Sequence, residues 1–231
     1  MAPSERGRGR AQLSDEAASY IRGMIMAGEL QPFESVRADL IAETLDISST
    51  PVREALQALR VEGFLTLIPR RGFTVAPLVG EDIRDLYKAQ SLIAGELAAR
   101  AAERATDDDI AELQALHFEL LAAANRGAHE MLEEKNHEFH RHINVIAGSQ
   151  KLRWVLGLVS RYVPRRFYAQ IPGWPKATSD DHAGVLDAIR QHDAEGARRE
   201  MQGHIVKAGE LLVQHFDSRV AVGTARGTEI P

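Results

Sequence analysis

Cysteine is missing altogether from the 231 residues, which removes disulfides, thiolate metal sites and cysteine nucleophiles from consideration. No apolar run approaches the roughly 18 residues that a membrane span needs. The first residues are rich in Arg and Gly and lack the apolar stretch of a signal peptide, so a cytoplasmic chain with no membrane partner is expected. A positive balance is missing too: the net charge is −5, and a chain carrying that charge evenly would repel nucleic acid. Charge acts where it sits, however. Between Thr50 and Leu78 stand four arginines (Arg53, Arg60, Arg70, Arg71) against two acids (Glu54, Glu62). The rest is ordinary globular composition, 44% hydrophobic and 26% charged, in a length that suits two small domains.

The locally basic stretch is also the most structured in pattern. Ser48, Ser49 and Thr50 are all residues that cap a helix, and Pro51 is tolerated in a first turn, where the N–H groups have no intrahelical partner. Val52, Ala55, Leu56 and Leu59 then form one face, while Thr50, Arg53, Gln57 and Arg60 form another, and Gly63 supplies the stop. A short helix with such a polar row suits the major groove of double-stranded DNA. Before it, Ile41, Leu45 and Ile47 mark a helix from about Arg37, and the link Asp46–Ser49 has helix-turn-helix spacing. After it, two short strand-like runs from Phe64 and from Phe73 flank Pro69-Arg70-Arg71-Gly72, which predicts a β-hairpin wing with a basic tip.

Upstream, Met1–Gln12 with Arg6, Arg8 and Arg10 reads as a disordered basic arm (1–12), and Ser14 is expected to cap a first helix ending at Gly28. Pro77–Gly80 reads as a linker, dividing a winged helix-turn-helix domain (13–78) from a helical domain (79–217), with a flexible tail (218–231). Helices are expected over about 81–106, 107–125, 130–147, 151–169 with a kink at Pro164, 179–192 and 194–216, with a loop at 171–175. The fold class is therefore mostly α: a small β-hairpin wing and a C-terminal antiparallel helical bundle.

Chemistry in the second domain rests on histidines. Asn136 and His140 are one helical turn apart, and His182 and His204 lie on two later helices. Imidazoles with an oxygen donor suit a divalent transition metal such as zinc, nickel or manganese. The region around Pro164 adds Arg161, Arg165 and Tyr168, of which an inward arginine would clamp a carboxylate.

The run from Leu45 to Leu56, with Glu62-Gly63-Phe64 and Arg71-Gly72-Phe73 after it, resembles the GntR family of bacterial transcription regulators, in particular its FadR-type branch with an all-helical FCD effector domain. Asn136–His140, Asp181-His182 and Met201–Ile205 resemble that domain's metal-binding segments. The resemblance implies a homodimer on a pseudo-palindromic operator, acting as a repressor, with Ser49, Thr50, Arg53, Gln57, Arg70, Arg71 and Gly72 at the DNA. It further implies metal ligands Asn136, His140, His182 and His204 and a small-molecule effector near Gln90; with Arg161, Arg165 and Tyr168 from the kink beside it, that effector is expected to be a carboxylate. The family more often has Gly at Asp46, Arg at Ser49, Arg at Gln90, Glu at Ala94 and Asp at Asn136. Two other readings are a metal-dependent hydrolase using the histidines, disfavoured by the lack of a His-Glu-x-x-His segment, and a metal-free regulator binding an apolar or acyl ligand.

Overall fold

Residues 9–163, 168 and 171–226 are described by the structure, a computed structural model, with side chains for all of these but 218–226. The chain divides into a first unit up to Val79 and a second over Gly80–Ser218.

In the first unit, α1 (Arg10–Met26), α2 (Ala38–Leu45) and α3 (Ser49–Val61) precede the antiparallel pair β1 (Leu65–Ile68) and β2 (Gly72–Val75). Ala17, Ile21 and Ile25 of α1 meet Val52, Ala55, Leu56 and Leu59 of α3, all buried. That apolar contact fixes the angle at which the polar side of α3 is presented. Arg22, buried on α1, donates through Nε to Glu62 Oε2 at 3.0 Å. An acid at the C-terminal end of α3 opposes the helix dipole, and the guanidinium offsets it. Gly63 follows at φ 87°, the left-handed value that lets the chain turn into β1. Register pairs Leu65 with Val75 and Ile68 with Gly72, so Pro69–Arg71 form the tip.

Asp46, where a glycine is the commoner family residue, ends α2 in the left-handed conformation at φ 52°. Asp tolerates that region better than most residues but still carries a steric cost that glycine lacks. Asp46→Gly is expected to raise stability by about 0.5 to 1 kcal/mol, read as a shift in the denaturant midpoint at constant m; an unmoved midpoint refutes it.

The second unit is helical: α4 (Gly80–Arg104), α5 (Asp107–Asn125), α6 (His129–Ile146), α7 (Gln150–Val159), a 3-10 turn (Ser160–Tyr162), α8 (Trp174–Arg190) and α9 (Ala194–Arg226). Alanines 94, 98, 101 and 102 give α4 a thin inner face, packed around Leu113, Phe139, Ile143, Val185, Ile189 and Met201. Gly209 on α9 sits against the Tyr87 ring so closely that an added Cβ would lie 2.6 Å from its Cγ. Glu96 of α4 accepts from Arg198 of α9 at 2.5 Å, and Arg104 bonds the Ala147 carbonyl at the end of α6. These contacts hold α4, α6 and α9 in register.

Several expected boundaries move. The first helix starts at Arg10, with Ser14 inside it, so 10–12 are helix and not arm; residues 1–8 lie outside the described set. The helix after Gln150 ends at Val159 and continues only as the 3-10 turn Ser160–Tyr162, after which Val163, the residue before Pro164, is extended at φ −105° and ψ 123°, as its place before a proline favours. The expected loop at 171–175 is shorter: α8 begins at Trp174 with Pro175 in its first turn, the one helical place where a missing N–H costs nothing. The tail expected from 218 is helical to Arg226, and 227–231 lie outside the described residues.

Candidate DNA-binding face and histidine centre

Burial on α3 separates its two faces. Val52, Ala55, Leu56 and Leu59 are buried, whereas Ser49, Thr50, Arg53, Gln57 and Arg60 are exposed. Ser49 and Thr50 are the first two residues of the helix, and no acid occupies its first turn, so the positive end of the helix dipole is open to an anion such as a phosphate. Arg70 and Arg71 are exposed at the hairpin tip, where Arg70 at φ 66° and Gly72 at φ 81° make the reversal. Arg10 forms an ion pair with Glu54, masking one of the two acids near this surface.

In the second unit three helices converge on one point. His140 Nε2 lies 3.1 Å from His204 Nε2, and His182 Nε2 lies 3.3 Å from His140 Nε2. One ring nitrogen from each of the three falls within 4.8 Å of the others. His182 is fully buried and stacked on Phe139, with centroids 4.3 Å apart and 14° between planes, which fixes its ring. Burial holds both His140 and His182 well below the usual imidazole range, and the neighbouring histidines push the same way. Both are therefore neutral near pH 7, the form that binds metal. Asp181 Oδ2 lies 3.6 Å from His204 Nδ1, too long for a hydrogen bond but close enough to favour a proton on Nδ1 and a lone pair on Nε2. Burial works to raise the Asp181 carboxyl, and its contacts with His204 and Lys207 outweigh that, leaving it below the ordinary value.

Asn136, one turn before His140 on α6, has a buried Oδ1 with no hydrogen-bond partner among the described residues. Three convergent imidazoles, with an orphaned amide oxygen one helical turn before His140, are a donor set that fits a divalent transition metal, with coordination positions to spare. Glu138, next to this segment in sequence, bonds Lys135 at 2.8 Å, as its position around the helix predicts.

The residues expected around an effector are dispersed. Gln90 is buried on α4 and donates through Nε2 to the Val159 carbonyl at 3.3 Å. Tyr168 shares a hydroxyl hydrogen bond with the buried Tyr87 and packs on Trp174 with centroids 5.5 Å apart. Burial pushes the Tyr168 phenol up to about 12, with the Glu133 carboxylate adding to it and the Tyr87 bond working against it. Arg161 is exposed on the 3-10 turn, and Arg165 lies outside the described residues. Thr178, buried on α8 with His182, and the buried Tyr87 of α4 were not among the expected site residues.

A winged helix-turn-helix unit with a basic tip, joined in one chain to a helical unit holding a buried ligand-type centre, defines a DNA-binding regulator that senses a small molecule. The comparisons agree: the FCD domain model matches residues 85–207, more than half of the chain, and the model for bacterial regulatory proteins of the gntR family matches residues 13–75. The chain belongs to this family of GntR-type, FCD-domain transcription regulators, and is a regulator and not an enzyme. It is 27% identical over 208 residues to the Nta operon transcriptional regulator of Aminobacter aminovorans, covering 90% of this chain and 94% of that one. It is similar in structure to E. coli McbR/YncC, with a TM-score of 0.66, 25% identity and coverage of 88% and 98%. A GntR family regulator from Pseudomonas syringae gives a TM-score of 0.56 at 25% identity, covering 92% and 90%. No helix among the described residues is long and apolar enough to cross a membrane.

Proposed function

We propose that the protein is a cytoplasmic repressor of the FadR-type branch, binding a pseudo-palindromic operator as a homodimer and controlled by a small carboxylate held at a metal on Asn136, His140, His182 and His204. The observation that carries this reading is the convergence of three imidazole nitrogens within 4.8 Å. A metal there supplies positive charge and open positions for an anionic oxygen, with Gln90 and Tyr168 as the further polar groups assigned to the ligand. Asn136 brings no negative charge where a carboxylate is usual, so the centre is more cationic and suits an anionic ligand better. Ser49, Thr50, Arg53, Gln57, Arg70, Arg71 and Gly72 serve the DNA: the helix reads base edges, and the wing holds backbone or minor groove.

The dimer reading is supported by α7. Leu152, Trp154, Val155, Leu156, Leu158 and Val159 crowd its ten residues and none is buried, with Trp154 62% exposed, and Leu92 of α4 is also exposed. Its apolar residues spread over about half of the helix circumference or more, at roughly 100° per residue, so cover on one side leaves others in water. A two-fold copy supplies it and sets two α3 helices for two half-sites.

The test is a gel-shift selection from fragmented genomic DNA, followed by titration of the selected site with short carboxylates. Metal-loaded protein is expected to retain a two-fold-related sequence and to release it, by roughly tenfold or more, with at least one acid. Release that is the same after chelation refutes the role of the metal, and failure to retain any site refutes the operator reading.

A further inference from the structure

The inner face of α8 carries Trp174, Thr178 and His182 at intervals of four, exposed by 2%, 1% and 0%. Its lower end meets the tyrosine pair, because Trp174 packs on Tyr168 and Tyr168 bonds Tyr87. Its upper end is the histidine centre. Thr178 stands between them, about 6 Å of helix rise from each. A threonine or serine within a helix ordinarily returns its hydroxyl to the carbonyl four residues back, and Ser179 does so, donating to Pro175 O at 2.8 Å. Thr178 does not. Its Oγ1 is buried with no hydrogen-bond partner among the described residues. Asn136 Oδ1, one turn from His140 on α6, is in the same condition, and on α4 Gln90 is buried one turn above Tyr87, with its Nε2 already committed to Val159. On α8, then, one unpartnered polar side chain stands between the histidines and the tyrosines, and the Thr178 hydroxyl is free both to donate and to accept.

We propose that Thr178 is a binding residue for the effector, hydrogen-bonding a hydroxyl or keto oxygen on the second or third carbon of a short carboxylic acid whose carboxylate is held at the histidine centre. The inference rests on the reading that this centre receives a carboxylate, and it narrows the class of acid. An acid lacking the oxygen leaves a buried hydroxyl unsatisfied in the complex, so the site discriminates against it. The tyrosine pair and Trp174, about 12 Å of helix rise from His182, close the far end and keep the acid short.

The experiment is calorimetry on the full-length, metal-loaded protein with three probe acids: butanoate, 2-hydroxybutanoate and 3-hydroxybutanoate. Wild type is expected to bind one of the hydroxy acids roughly tenfold more tightly than butanoate. Thr178→Val, which keeps the shape and removes the hydroxyl, is expected to bring the ratio close to one, and Thr178→Ser to keep it, with metal content unchanged in both. Should the valine variant not fold, Thr178→Ala gives the same comparison. Equal binding of all three acids by wild type overturns the proposal and leaves the carboxylate reading standing, as does a preference that survives in the valine variant. Binding of none of them by metal-loaded protein removes the carboxylate reading and this inference with it.

Discussion

His140→Ala is expected to empty the histidine centre. Protein purified without chelator or histidine tag should carry close to one equivalent of zinc, nickel or manganese per chain, falling to background in the variant. The physical reason is that each imidazole is one of only a few donors: three ring nitrogens fall within 4.8 Å of one another, the unpartnered amide oxygen of Asn136 stands one helical turn before His140, and none of the four groups is a carboxylate. Losing one of three nitrogens leaves a site that cannot hold the ion against water. His140 is the ligand to remove because it is the least buried of the three histidines. His182 stacks on Phe139 in the core, and truncating it would open a cavity as well as delete a ligand.

A second readout separates binding from folding. A metal present at about a thousand times its dissociation constant stabilises the folded state by about 4 kcal/mol. Wild type should therefore melt higher with metal than after chelation, and the variant should melt at one temperature in both. Absence of metal from wild type, with no shift on adding it, would mean that the neutral Asn136 has abolished the centre. The sensing unit would then be the metal-free alternative, with an apolar or arginine-anchored pocket.

How far such a site can be seen in a sequence depends on what reports it. The wing and α3 were legible because local rules govern them: a polar cap segment, proline in a first turn, apolar spacing at 3.6 residues and a glycine stop all act within a few residues. The histidines could be nominated from the i, i+4 spacing of Asn136 and His140, but their meeting depends on α6, α8 and α9, and only packing brings nitrogens 42 and 64 residues apart to 3.3 and 3.1 Å. Thr178 stayed hidden because nothing in its neighbourhood separates it from Ser179; the two differ in where their hydroxyls end up, which is a tertiary outcome. Boundaries moved for the opposite reason. The loop expected at 171–175 takes in Pro175, although a proline in a first turn suits a helix start, where the missing N–H has no partner to lose.

Arg53→Ala is expected to weaken specific operator binding by about 1 to 3 kcal/mol, with the melting of the protein unchanged. Arg53 lies on the exposed side of α3, two residues past the buried Pro51 and beside the buried Val52, so its truncation removes a donor without touching the core. Gln57 continues the row one turn on, and the exposed Ser49 and Thr50 begin it at the positive end of the helix. A loss confined to the selected site, with binding to random DNA little altered, would mark Arg53 as reading bases; equal losses on both, with a shallower salt dependence, would mark a phosphate contact. Ser49→Arg makes the reciprocal change. It restores the cation that the family more often has at the helix start, and it should tighten DNA binding and steepen the dependence on salt. If gel-shift titrations at two fixed salt concentrations show neither substitution changing affinity, α3 does not face the operator, and the basic wing alone would have to account for binding.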